Sequence, residues 1–331
     1  VKKSTLFSRA ARYTLAASTA LLMAGSAAGT ANAQESSGSS SALKPLDFPA
    51  IAGSPVNDTT CQVKEGQSPV LFLHGTGADA NHFKDAYQVL AAEGYCTFTV
   101  NYGGAPGRIA YGWADLDASA QQVAEAVDHV KDVTGAPKVT LVGHSQGGTL
   151  TKKYIQQLGG AGNVDRVVSL GATYRGTDVN GGILREVFDT WPAFWDTLVS
   201  PASFQQVRSQ GVVKPQISEL MEHPDAAPGI VYTAVYTPKD TTATSTFATD
   251  SPYGKNDTSV VHGGEPGYVV NVNADEACGY APIGRAHDSL PWNPVTVQLI
   301  KWGVQRDISE TTPQCGAAGG ASSGSSSSSV R

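Results

Sequence analysis

Two stretches of the chain carry the pattern Gly-x-Ser-x-Gly: Gly143-His144-Ser145-Gln146-Gly147 and Gly320-Ala321-Ser322-Ser323-Gly324. A serine hydroxyl becomes a useful nucleophile only when a base takes its proton, an acid orients that base, and N–H donors hold the oxyanion that attack creates. Only the first copy can be presented in that way. It follows an apolar strand and opens a helix, a placement that forces a tight turn with glycines where a Cβ would strike neighbouring backbone. Such a turn lifts the Ser145 hydroxyl off the sheet at a helix N-terminus, whose dipole favours developing negative charge. The second copy has no strand or helix signal around it and is read as chance.

The strand–serine–helix turn goes with the chain order serine, acid, histidine. That order removes His74, His82 and His129, which precede Ser145. His144 adjoins the serine and is expected to point elsewhere, as a packing or loop residue. His223 precedes the penultimate strand, and His262 lies between the last two strands. His287 follows the final strand and precedes the final helix, where the base belongs. For the acid, Asp240, Asp250 and Asp257 remain open. Asp240 is preferred because it follows the strand at Ile230 to Tyr236 by a few residues, at the strand end where such sheets gather their catalytic groups. The other two lie deeper in an insert, Thr237 to Gly267, that nothing obvious anchors. The oxyanion donors expected are the backbone N–H groups of Gln146, after the serine, and of Thr76 in His74-Gly75-Thr76-Gly77.

These residues need a scaffold, and strand and helix signals alternate along the chain. Pro69 to Leu73, Tyr95 to Tyr102, Lys138 to Val142, Arg166 to Leu170, Ile230 to Tyr236 and Tyr268 to Val272 read as strands. Helices are expected around Phe83 to Gly94, over Asp115 to Thr134 with Leu116, Ala120, Val123, Val127 and Val130 on one face, over Gln146 to Leu158, and over Pro294 to Val304. Strands alternating with helices imply an α/β fold, a mostly parallel central sheet with helices on both faces.

Lys2, Lys3, Arg9 and Arg12, the small apolar run Tyr13 to Ala28 and Ala31-Asn32-Ala33 read as a secretory signal peptide over residues 1–33. Residues 34–44 and 316–331 are Ser- and Gly-rich and are expected to be flexible, leaving residues 45–315 as one catalytic domain. Removing the four bases of the leader, which has no acid, leaves 19 Lys and Arg against 29 Asp and Glu. A net charge near −10 excludes nucleic acid and anionic membranes as natural partners. No integral membrane span is expected. Four cysteines, Cys61, Cys96, Cys278 and Cys315, suit two disulfides in an exported chain, and their spacing does not suit a metal site.

The segments LFLHGTGAD, EGYCTFTVNYG, TGAPKVTLVGHSQGG, KKYIQQLGGAGNVDRVVSLGATYRGT and GRAHDSL resemble the secreted actinobacterial triacylglycerol lipases of the α/β-hydrolase fold. The resemblance covers most of Pro69 to Gly303. It implies a serine lipase or carboxylesterase that needs no cofactor or metal, with Ser145 as nucleophile, His287 as base, and Thr76 with Gln146 as oxyanion donors. It also implies a disulfide between Cys61 and Cys96; the pairing expected beside it is Cys278 with Cys315. The acid in that family usually sits in a motif like YDEVV, where this chain has YTPKDTTAT.

Ile183, Leu184, Val187, Phe188, Trp191, Trp195 and Leu198 form an apolar helical stripe, read as core packing or, with Phe194, as a lid or acyl-pocket wall. Asp178, Asp189 and Asp196 are then surface or capping residues. The partner expected is a lipid or ester substrate, taken by a monomer from solution or at a lipid–water interface. Acyl transfer to another alcohol and an inactive binding module are the competing readings.

Overall fold

The computed structural model describes residues 43–104, 109–181, 205–208 and 213–315. The leader 1–33, most of the stretch 34–44, the tail 316–331, and the stripe from Ile183 to Leu198 with Trp191, Phe194, Trp195, Asp189 and Asp196 lie outside the described residues.

Among the described residues six strands form one sheet: β1 (Val70–Leu73), β2 (Thr97–Val100), β3 (Val139–His144), β4 (Val164–Leu170), β5 (Val231–Tyr236) and β6 (Val269–Asn273). Their order is β2-β1-β3-β4-β5-β6 and every pairing is parallel. The parallel sheet has to be covered on both sides, and side-chain alternation along each strand serves the two sides in turn. Leu71, Leu73 and Leu141 meet α2 (Leu116–Thr134) and α3 (Gln146–Gln157) through Val123, Val127, Leu150 and Tyr154. Val70, Phe72 and Val142 meet α1 (Lys84–Ala92) and the closing helix Pro294–Gln305 through Tyr87, Leu90, Leu299 and Ile300.

Capping explains where the long helices stop and start. The Asp115 carboxylate accepts from the N–H groups of Asp117 and Ala118 at the start of α2, and Gly135 ends it in the left-handed conformation at φ 67°. Three shorter helices lacked a clear periodic signal: α4 (Pro215–Met221), α5 (Ala274–Cys278) and α6 (Ala286–Ser289) precede the closing helix, α7 (Pro294–Gln305). Beyond α7, Arg306 is fully buried and its guanidinium donates to the carbonyls of Tyr232, Gly267 and Tyr268. It ties β5 and the start of β6 to the end of α7.

Disulfides join Cys61 to Cys96 and Cys278 to Cys315. The first fixes the N-terminal arm at the start of β2. The second anchors the end of α5, where the loop toward α6 begins. Each closes a long loop, with partners 35 and 37 residues apart. Replacing Cys61 and Cys96 together by alanine should therefore cost about 3–4 kcal/mol by the loop-entropy relation. Urea unfolding of the double variant, compared with the parent, checks this; an unchanged midpoint contradicts it.

Candidate active site

Because all six strands are parallel, the loops after β1, β3, β4 and β5 emerge at the same edge of the sheet. The turn after β3 sets the geometry. Ser145 has φ 53° and ψ −120°, a backbone conformation that a residue with a Cβ adopts only when its surroundings impose it. The imposition comes from close approach: a Cβ on Gly147 would lie 2.1 Å from the Leu73 carbonyl oxygen, and one on Gly143 would lie 2.6 Å from the Gly147 backbone. The Ser145 N–H is taken by the Leu170 carbonyl at 2.9 Å, which pins the turn to β4.

The loop after β1 runs beside this turn. A Cβ on Gly75 would stand 2.9 Å from His144 Nδ1 and 3.1 Å from Ser145 Cβ, so glycine is what lets the Thr76 backbone come near the serine. Neither the Thr76 nor the Gln146 N–H is engaged by a hydrogen bond among the described residues. The Gln206 amide donates to the Thr76 hydroxyl at 3.2 Å and so steadies this loop. His74 is buried and stacked on Tyr102, with ring centroids 4.3 Å apart; its Nδ1 donates to the Gly75 carbonyl at 2.9 Å. Burial drives its imidazole down to about 4, against the Gly75 carbonyl, which favours the proton.

Asp240 and His287 meet on the other side. His287 Nδ1 donates to Asp240 Oδ2 at 2.7 Å, and both side chains are almost wholly buried. Asp240 Oδ1 accepts from the N–H groups of Thr242 and Ala243 at 2.7 and 3.0 Å, so the carboxylate is held by its own turn. His287 lies in α6, whose flanks are tied down by Tyr280 Oη donating to the Ala286 carbonyl and by Asn293 donating to the Ala281 carbonyl. Between the pair and β4 stands Gly171, at φ 52°, where a Cβ would lie 3.2 Å from both Asp240 Oδ2 and His287 Nδ1. Ser145, His287, Thr76, His82, His144, Trp113, Gln206 and Arg285 all line one cleft of about 400 Å³.

The competing carboxylates are placed elsewhere. Asp250 is exposed. Asp257 is buried and committed to Ser251 Oγ at 2.6 Å, to His262 Nε2 at 3.0 Å and to Arg175. The insert that carries them is also better held than expected. Thr244 and Thr246 bind Asp178, the Tyr174 N–H donates to the Thr258 carbonyl, and the Arg175 guanidinium donates to the Asp257 carbonyl. Asp178 is accordingly no surface residue. It is buried because its carboxylate satisfies hydroxyl and N–H donors that the insert brings inside. Two residues at the site had no sequence signal. His144 does not point away but lies against His287, and His82 approaches from the turn after β1. Among the described residues no group of three or more His, Cys, Asp or Glu could hold a metal ion, and no helix is long and apolar enough to cross a membrane.

The profile of the Alpha/beta hydrolase family matches residues 70–307. Of solved structures, Aspergillus fumigatus lipase B is similar at 17% identity and a TM-score of 0.52, covering 82% of this chain and 60% of its own. Bacillus licheniformis lipase BlEst2 in its propeptide form is similar at 17% identity and a TM-score of 0.51, covering 77% of this chain and 53% of its own. The chain thus spans between half and two thirds of the length of these two structures. At such identities the likeness speaks for the fold alone.

Two measurements bear on the site. Asp240→Asn should slow covalent capture of Ser145 by a fluorophosphonate by on the order of a thousandfold, because the imidazole loses its partner charge and preferred tautomer. Asp250→Asn should react like the parent, and the reverse pattern would assign the acid to Asp250. His74 gives a pH dependence whose sign follows from its lowered value in the folded state. The unfolded chain binds this proton between about pH 6.5 and 4 while the folded chain does not, so stability is present above that window and declines as pH falls through it. The His74 share is roughly 3 kcal/mol. His74→Asn, which can keep the donor to Gly75, should flatten the loss of melting temperature between pH 7 and about 4.5; an unaltered slope is the contrary result.

Proposed function

The chain belongs to the alpha/beta hydrolase family, and on that premise we propose that it is a secreted serine lipase or carboxylesterase that cleaves acylglycerols or other carboxylic esters through an acyl-enzyme. The observation that carries the reading is the buried Asp240–His287 hydrogen bond opening onto the same cleft as the strained Ser145 turn. In this reading His287 takes the Ser145 proton as Oγ bonds to the ester carbonyl carbon. Asp240 holds the imidazole in the right tautomer and stabilises its cation. The oxyanion settles between the Thr76 and Gln146 N–H groups, and the turn supplies the approach they need. As the carbonyl re-forms, the bond to the leaving alcohol breaks and that alcohol takes the proton from His287. Water repeats the sequence on the acyl-enzyme and releases the acid.

Export is part of the proposal, with residues 1–33 as its signal. Two disulfides and the excess of acids after that segment are consistent with an oxidising, extracellular setting. We take the substrate to be a lipid or ester met by a monomer, at a lipid–water interface where the acyl chain is long.

A panel of triglycerides from butyrate to oleate, assayed above and below their solubility limits, tests the substrate class. Hydrolysis of short and long chains, with Ser145→Ala losing several powers of ten in turnover and keeping the melting temperature, is the expected result. A Ser145→Ala variant with half the parental rate sinks the reading. Accumulation of a new ester in place of free acid would instead favour transfer to an alcohol.

A further inference from the structure

The helix that carries His287 has only four residues, too few to hold an orientation by helical propensity. Its backbone is gripped from across the cleft by two other histidines. His144 Nε2 lies 3.0 Å from the His287 carbonyl oxygen, and His82 Nε2 lies 3.2 Å from the Asp288 carbonyl oxygen. The acceptors are consecutive carbonyls, while the donors come from the end of β3 and from the turn Ala80–Phe83 after β1. The rings brace one another, His82 edge-on to His144 at 5.1 Å between centroids and His144 against His287 at 4.6 Å.

A carbonyl oxygen only accepts, so each Nε2 must carry a proton. The Nδ1 atoms of both rings are buried without a partner, as befits neutral rings protonated on Nε2. Bare buried nitrogens cost stability, and an apolar side chain could fill the space without that cost. Each ring makes its one polar contact through Nε2, which points to the donor as the feature in use.

We propose that His82 and His144 are positioning residues, a neutral clamp that holds the His287–Asp288 backbone so that the His287 imidazole keeps Nδ1 on Asp240 and Nε2 toward the cleft. The proposal rests on the reading of His287 as the base. A base that accepts and returns a proton in two successive half-reactions must keep its place in both, and a displacement of about 1 Å can cost on the order of a hundredfold in rate. The clamp must also stay uncharged beside a ring that becomes a cation. Burial lowers the affinity of both rings for a second proton, and the neighbouring histidines, His74 among them, oppose it further. The carboxylates facing His82, Asp79 and Asp288, act the other way and are outweighed.

The test compares His144→Leu and His82→Leu, which remove the donor, with His144→Gln and His82→Gln, which place an N–H near the old Nε2 position. With a soluble short-chain ester, the leucine variants should lose roughly tenfold or more in kcat with little change in KM, and glutamine should restore most of the loss. A leucine variant at His144 that melts like the parent and turns over at the parental rate overturns the clamp, as does a glutamine variant equally slow and equally stable. Imidazole nitrogen NMR of the parent gives a readout independent of turnover. Both rings should hold the Nε2–H tautomer at neutral pH, and a proton on His144 Nδ1 contradicts the proposal. Should the parent hydrolyse no ester, the function proposed above fails while the NMR still decides the clamp. Should His144→Leu not fold, His82→Leu and the NMR decide it.

Discussion

Ser145 is held at φ 53° and ψ −120°, a conformation that costs about 1–3 kcal/mol for a residue with a side chain. The elements around it are arranged so that this turn has no easier alternative. Helix α3 packs so tightly on the end of β1 that Gly147 has no room for a methyl group, and the Ser145 N–H is already spent on β4. The loop after β1 can then pass close enough for Thr76 to face the serine, because Gly75 also lacks a Cβ. Release of the turn would therefore disturb the loop after β1, Ser145 and the strand beside them together.

The same edge of the sheet must bury polar groups, and it does so by giving each acceptor a donor. Both oxygens of Asp240 are satisfied, one by His287 and the other by two backbone N–H groups. The insert after β5 is fastened by a denser set of charges, in which Lys152 and Arg175 share Asp225 while Arg175 also reaches Asp257. Such buried ions recover their desolvation only when paired, so they contribute little net stability but fix where the loop can lie. That fixation matters because Asp240 lies near the start of the insert. A carboxylate on an unanchored loop could not keep one imidazole in register.

Most of the fold was legible as periodicity. The strands and long helices lie within two residues of the ranges read from apolar spacing, because each has a face or a core to fill over several turns or pleats. The short helices α4, α5 and α6 left no such mark, since a few residues held by neighbouring contacts need no period of their own. The insert was misjudged for a related reason. Its threonines and serines look like loop filler in sequence, and only the buried Asp178 and Arg175 brought beneath them turn those hydroxyls into anchors.

What the sequence determined by itself was local: an apolar strand, a serine flanked by glycines and a helix compel a strained turn wherever the chain goes afterward. It also marked His287, through its position after the last strand, and it preferred Asp240 over Asp250 and Asp257 for its place near a strand end. Only the tertiary structure shows which carboxylate meets that imidazole, since reach across β4 is a property of loops placed side by side and not of spacing along the chain. The requirement for Gly171, where the Asp240–His287 pair leaves no space for a Cβ, came from the same juxtaposition. So did the contacts of His82 and His144 with the carbonyls beside the imidazole. A histidine's partner is set by which backbone it meets in space, and segments more than a hundred residues apart meet here only because six parallel strands end at one edge.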